Sequence, residues 1–265
     1  MTKSALLFAF ALVSLCANAA EPLSAKDLAG QLSKLQQDGS SYIRLRLTVN
    51  EPPGTKKLAL QLQIQQRRTA NATDVIYQIL WPKERMGESV LLKKIGNQAP
   101  TGFHVVPPDT SKSLGAQDMK NSLLGSDLAY ADIIENFYAW DSQALVGEEM
   151  IGKVNCQILE SKPGKGQSSI YTSSRSWVDT ERLVPLRVEK FLTPGKPARR
   201  IETTRVTKEE NGQHTPANLS VQDLRKNSLT ELEGSRLNTR VEYQDGDFTL
   251  DALKDIKRSK PAASP

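Results

Sequence analysis

Two neighbouring stretches fix what this chain can fold into. From Tyr42 to Val49, the apolar Ile43, Leu45, Leu47 and Val49 alternate with Tyr42, Arg44, Arg46 and Thr48. From Leu58 to Gln65, Leu58, Leu60, Leu62 and Ile64 alternate with Ala59, Gln61, Gln63 and Gln65. A period of two places every second side chain on one face of an extended strand, whereas a helix would scatter the same residues around its axis. Glu51-Pro52-Pro53-Gly54-Thr55, between the two runs, has turn chemistry. The spacing predicts a hairpin with one apolar and one wet face. In register, Ile43, Leu45, Leu47, Leu58, Leu60, Leu62 and Ile64 share one inward face.

Shorter runs of the same character recur along the chain. Strands are expected at 75–80, 89–93, 103–106, 143–147, 154–160, 169–173, 176–179, 186–191, 201–207, 218–221, 229–232 and 241–243. Helices are few. Ser24 is placed as an N-cap with Asp27 as its capping-box acid, and Leu28, Leu32 and Leu35 form one stripe before Gly39. Two central helices are expected at 117–124 and 128–138, the second capped by Ser126 or Asp127. So many short antiparallel strands, without a linker, argue for one domain over residues 20–258. A single twisted sheet of that size must curl or close, and the helices are the natural cover for its concave face. The fold class expected is mostly β: one open, curved antiparallel half-barrel with a few helices over the concavity.

The ends bear on the compartment. Lys3 is a positive start, Ala5 to Leu15 is an apolar run, and Ala17-Asn18-Ala19 fits a small-x-small cleavage site. The apolar run is too short to span a bilayer. Residues 1–19 are therefore expected to be a cleaved signal peptide and the mature protein to be periplasmic, with 259–265 a disordered tail. Cys16 allows a lipid-anchored alternative, but Leu15 before it is too large for a good lipobox. Without the leader, Cys156 has no partner for an intramolecular disulfide, so a packed core must hold the fold, and Cys156 itself is expected to be a buried structural residue.

Charge and motif exclude several classes. The 35 basic and 30 acidic residues are dispersed, with a net charge of +5, which permits transient contact with an anionic membrane and gives no nucleic-acid footprint. His104 and His214 lie far apart and no His-x-x-x-His or Cys-x-x-Cys spacing occurs, so no metal site is expected. There is no Gly-x-Ser-x-Gly elbow, and Gly164-Lys165-Gly166 is a turn without Walker spacing. The pairs Glu148-Glu149 and Glu209-Glu210 would point to opposite faces of a strand and are expected at solvated loop ends. Neither an enzyme nor a cofactor is indicated.

Four phrases, in order, resemble a known family. They are Trp81-Pro82-Lys83-Glu84-Arg85-Met86-Gly87 before Val90-Leu91-Leu92, then Leu123-Leu124-Gly125-Ser126-Asp127-Leu128-Ala129-Tyr130-Ala131-Asp132-Ile133. Gly147-Glu148-Glu149 with Gly152 and Cys156-Gln157-Ile158-Leu159-Glu160 follows, then Trp177-Val178-Asp179 with Leu183-Val184-Pro185-Leu186-Arg187-Val188-Glu189. The chain resembles the LolA/LolB-type periplasmic lipoprotein carriers, in the branch called outer membrane lipoprotein-sorting proteins. It departs from them in a longer turn at Leu192-Thr193-Pro194-Gly195-Lys196.

The resemblance implies an open β-barrel with a helical lid over a hydrophobic cavity, carrying lipidated cargo towards the outer membrane, in some members for a particular export system. Cavity-lining candidates are Ile43, Leu45, Leu47, Leu58, Leu60, Leu62, Ile64, Val75, Tyr77 and Ile79, and lid candidates are Leu128, Ile133, Ile134 and Phe137, with Gly125 as hinge. The partners it implies are lipid or lipoprotein acyl chains, with an inner-membrane transporter or outer-membrane acceptor. The alternative is a lipid sensor or interaction module that regulates a membrane partner. The plainest alternative for each apolar residue is a filled core.

Overall fold

The computed structural model describes residues 23–36, 39–51 and 57–254. The expected leader (1–19), the tail (259–265) and most of the first hairpin's turn lie outside these residues.

The described residues build thirteen strands: β1 (Gly39–Asn50), β2 (Leu58–Arg68), β3 (Ala72–Trp81), β4 (Ser89–Ile95), β5 (Thr101–Val106), β6 (Thr110–Leu114), β7 (Ser142–Ile151), β8 (Val154–Lys162), β9 (Ser173–Asp179), β10 (Val184–Phe191), β11 (Arg199–Lys208), β12 (His214–Asp223) and β13 (Leu229–Asn238). Among the described residues three α-helices accompany them: α1 (Ala25–Gln36), α2 (Tyr130–Ile134) and α3 (Leu250–Lys254). All strands join one antiparallel, curved, open sheet in the order β6-β5-β4-β3-β2-β1-β13-β12-β11-β10-β9-β8-β7. The expected fold class is the observed one.

That order contains one long jump. β1 to β6 form a meander in one direction and β7 to β13 a second meander that returns to pair with β1. The strands consecutive at the jump, β6 and β7, are the two free edges of the sheet. The connection between them, residues 115–141, crosses the concavity.

The first hairpin forms as its alternation requires. Ile43 faces Ile64, Leu45 faces Leu62, Leu47 faces Leu60 and Val49 faces Leu58. Next to it, Leu62 faces Ile79 and Ile64 faces Tyr77. These residues join one core with Leu28, Ala29 and Leu32 of α1 and the apolar side chains of the crossover. On the opposite face, Tyr42, Ile76, Leu91 and Val105 pack against Val241, Tyr243, Phe248 and Leu253 of the C-terminal segment. A third cluster on that side gathers Cys156, Trp177, Val184 and Leu186. Cys156 is buried, as its place in an alternating run indicates, and burial raises its thiol pKa.

Several expected elements differ. Residues 241–243 are not a strand, because Val241 and Tyr243 serve the C-terminal segment as anchors on the convex face. Residues 169–172 form a loop before β9, pinned where the Tyr171 amide donates to the Ser169 hydroxyl. Glu148 and Glu149 lie within edge strand β7 rather than at a loop end, and Glu149 accepts the indole N–H of Trp177 at 2.8 Å.

The largest differences are in the crossover. The helix expected at 117–124 is a single 3-10 turn at Ala116–Lys120, and the one expected at 128–138 is α2 followed by a 3-10 turn at Phe137–Ala139. The cause is local. Leu124 (φ 52°) and Gly125 (φ 93°) are both left-handed, and the Ser126 amide donates to the Leu123 carbonyl. Two successive positive φ angles make a type I′ turn, which no right-handed helix can pass through. Ala129, not Ser126 or Asp127, precedes α2, and the Asp132 carboxylate accepts its amide at 2.6 Å.

Candidate functional site

The concave face of the sheet and the crossover that fills it form the candidate site. Leu47, Leu60, Leu62, Ile64, Val75 and Ile79 are buried there, and Ile43, Leu45, Leu58 and Tyr77 are partly buried against them. The structure thus brings all ten predicted lining residues into one cluster. It brings the four predicted lid residues, Leu128, Ile133, Ile134 and Phe137, into the same cluster, together with Leu123, Leu124 and Trp140. Leu60 and Leu62 have no exposure at all. In this conformation the concavity is occupied by side chains of the crossover and of α1.

Polar side chains pin the crossover to the sheet at a few points. Asp127 is almost fully buried. Its carboxylate accepts the hydroxyls of Thr230 at 2.7 Å and Ser228 at 2.6 Å, and its amide donates to Thr230 Oγ1 at 2.9 Å. Arg68 donates to the Ile133 carbonyl at 2.8 Å and Arg85 to the Leu124 carbonyl at 3.3 Å. Tyr138 meets Ser176 at 3.2 Å.

The strongest pin is ionic. Asp132, with a fully buried side chain, lies 3.2 Å from Lys190 Nζ and 2.8 Å from Arg199 Nη1, and it accepts the Tyr171 hydroxyl at 2.7 Å. Arg199 also reaches Asp223 at 3.3 Å, and Asp223 is held by Arg225 at 2.7 Å. Lys190 sits over the rings of Phe137 and Tyr171. Burial works to lower the Arg199 pKa, but Asp132, Tyr171 and Asp223 outweigh it and hold the guanidinium above its usual value. Burial likewise works to raise the Asp223 pKa, but the bonds from Arg225 and the Arg199 charge hold it at about 2. Paired and hydrogen-bonded in this way, the buried charges avoid the desolvation cost of isolated ions.

Sequence reasoning missed this network. Its trace in the sequence is a charge at an apolar phase: Arg199 two residues before Ile201, Asp223 two after Val221, and Lys190 two after Val188. All three apolar partners pack in or against the concave core.

The remaining candidate chemistry lies elsewhere. His104 Nε2 is 3.0 Å from Glu88, which Arg85 also binds at 2.8 Å. Burial works against the Glu88 carboxylate, but these two partners hold its pKa at about 2. Among the described residues no group of three His, Cys, Asp or Glu side chains is placed to hold a metal ion. Among them, too, no helix is long and apolar enough to cross a membrane.

The comparisons agree with this architecture. A DUF1329 family protein from Desulfovibrio piger superposes with a TM-score of 0.78 at 22% identity, over 86% of this chain and 97% of its own. A domain named for outer membrane lipoprotein sorting, from Vibrio parahaemolyticus, gives 0.76 at 17% identity over 86% and 97%. A LolA superfamily protein from Nitrosomonas europaea gives 0.70 at 17% identity, over 87% of this chain and all of its own. No curated protein matches the sequence. A family model described as that of an uncharacterized protein matches residues 107–255, which include the crossover and every strand from β7 to β13. The match spans more than half of the chain, so the protein belongs to that family, and its fold is the open half-barrel of the three solved structures.

Proposed function

We propose that the protein is a carrier that takes acyl chains of a lipid or lipoprotein into its concave face, in exchange for the crossover segment. The observation that carries this reading is that one mostly non-helical connection, together with α1, supplies the apolar filling of a face that is itself apolar. The energies support an exchange. Moving a long acyl chain out of water is worth on the order of 12 kcal/mol, at about 0.8 kcal/mol per methylene. Six crossover side chains, Leu123, Leu124, Leu128, Ile133, Ile134 and Phe137, are together worth roughly 9 to 18 kcal/mol when buried. Filling and cargo are therefore matched, and small free energies decide between them.

In this reading the carrier works in the periplasm, which the leader-like residues 3–19 support, and delivers towards the outer membrane, with a membrane transporter or acceptor as partner. It acts by binding, not by catalysis. A second reading, an interaction module that regulates a membrane partner, has one observation in its favour. Edge strand β7 exposes Leu145, Val146 and Met150 beside unpaired backbone groups, which could accept a partner's strand.

The test is direct. The purified protein should yield lipid on solvent extraction and mass spectrometry, or bind a fluorescent fatty-acyl probe. Binding should raise hydrogen exchange across residues 116–140. A folded protein that holds no lipid and binds no acyl probe would refute the carrier and leave the interaction module.

A further inference from the structure

On β2, β3 and β4 the concave face changes character within a few residues. Ile64, Tyr77 and Val90 stand side by side across the strands, and Gln66, Val75 and Leu92 form the next row. The row after that is Arg68, Thr73 and Lys94. It opens into a cleft of about 420 Å³ whose far wall includes Ile134 and Trp140 of the crossover. The lining carries two cations, Arg68 and Lys94, and no carboxylate.

Neither charge is neutralised. The Arg68 guanidinium makes one hydrogen bond, to the Ile133 carbonyl, and has no carboxylate partner among the described residues. Burial lowers its pKa, as expected for a guanidinium without a counter-ion. The Lys94 ammonium makes no hydrogen bond or ion pair among the described residues. Glu135 is the carboxylate that acts on it through space, but Glu135 is turned to the Ser169 hydroxyl at 2.6 Å, and burial raises its pKa. The contrast with Arg199 and Lys190, where every buried cation meets a carboxylate, is internal to the same sheet face. Two like charges kept together in a concave, carboxylate-free site focus a positive potential on whatever enters it. An arginine fork with four N–H groups unused beside a lysine point charge matches the oxygens of a phosphate.

We propose that this cleft is an anion site for the phosphate of an amphiphile, with Arg68 and Lys94 holding the headgroup and the tail lying against Ile134 and Trp140. The placement of the tail rests on the carrier reading; the anion site does not.

Three probes separate the two: decyl phosphate, the neutral decyl maltoside, and inorganic phosphate. The wild-type protein should bind decyl phosphate about tenfold or more tighter than decyl maltoside, the scale of one charge-assisted contact. Lys94→Gln should abolish that preference without weakening maltoside binding, and Lys94→Arg should keep it. Lys94 holds nothing else in place, so its variants should fold; Arg68→Gln is the second variant and should also lose the preference. Inorganic phosphate should shift the amide resonances of Asn71, Gly96 and Asn97 in the wild type and not in Lys94→Gln.

Equal binding of the two detergents with unmoved cleft resonances would overturn the anion site and leave the carrier standing. An undiminished preference in Lys94→Gln would overturn it as well. Phosphate shifts without binding of either detergent would refute the carrier and the amphiphile, and leave a site for free phosphate.

Discussion

Replacing Asp132 by asparagine tests the crossover as a removable filling. The side chain is fully buried and answers Lys190 at 3.2 Å, Arg199 at 2.8 Å, the Tyr171 hydroxyl at 2.7 Å and the Ala129 amide at 2.6 Å. Asparagine keeps the shape and one acceptor and removes the charge. Arg199 retains Asp223, but Lys190, only 2% exposed, is left with two aromatic rings and the through-space charge of Glu135. Breaking a buried ion pair on one side typically costs about 3–5 kcal/mol, and the conserved shape argues for the lower end, about 3. If the crossover leaves the sheet as a unit, this loss appears first as local opening. Hydrogen exchange at residues 123–140 should accelerate by about 100-fold while β1 to β4 keep their protection. Acyl-probe affinity should rise by up to the same factor, because apparent affinity scales with the open fraction. Adding Lys190→Met should restore much of the stability, since it removes the stranded cation. Uniform acceleration across the whole sheet, with probe affinity unchanged or lower, would show that Asp132 holds the global fold and that the crossover is a permanent part of the core.

Three further outcomes are expected. Leu60→Ala should cost about 3 kcal/mol in urea denaturation, because Leu60 has no exposure and packs in the filled concave core; a loss below about 1 kcal/mol would mean that the site is open. Thr230→Val keeps the side chain's shape but takes two bonds from the buried Asp127, so a loss of about 2 kcal/mol is expected, with faster exchange confined to residues 123–128. Glu88 has a folded pKa of about 2, below its unfolded value, so its contribution is complete above roughly pH 4.5 and is lost as pH falls through 2. Urea midpoints should fall over that window by an amount equivalent to at most about 3 kcal/mol, and Glu88→Gln should flatten this part of the profile.

What was legible in the sequence follows from how locally each feature is encoded. The pairing of Leu45 with Leu62 and Leu47 with Leu60 is set by a period of two and a short connection, so the first hairpin and its inward face could be read directly. The crossover could not be read in the same way. Leu128, Ile133, Ile134 and Phe137 have helical spacing because they must all reach one apolar surface, and a broken chain of turns meets that demand as well as a helix does. Gly125 was visible as a hinge, but nothing local indicated that Leu124 would share its left-handed conformation. The ion network was out of reach for a different reason. Asp132, Lys190, Arg199 and Asp223 are brought together from four separate elements, and only their place at apolar phases marks them.

That network also answers a problem that an apolar filling creates for itself. Apolar contacts do not distinguish a leucine from an acyl chain, so a crossover held by Leu123, Leu128 and Phe137 alone would compete with any lipid on equal terms. It would also spend part of its time off the sheet, exposing a large apolar surface. An acyl chain cannot replace the Asp132 carboxylate. Opening therefore strands Lys190 on the concave face and leaves Arg199 with Asp223 alone, and that cost is absent from the closed form. The penalty falls on the empty open state and on the loaded one alike, so it keeps the free protein closed and lowers affinity for cargo by the same factor. Because filling and cargo are nearly matched in apolar free energy, a latch of about 3 kcal/mol is large enough to set the balance between them, and it favours release, which a protein that must also give up its ligand requires.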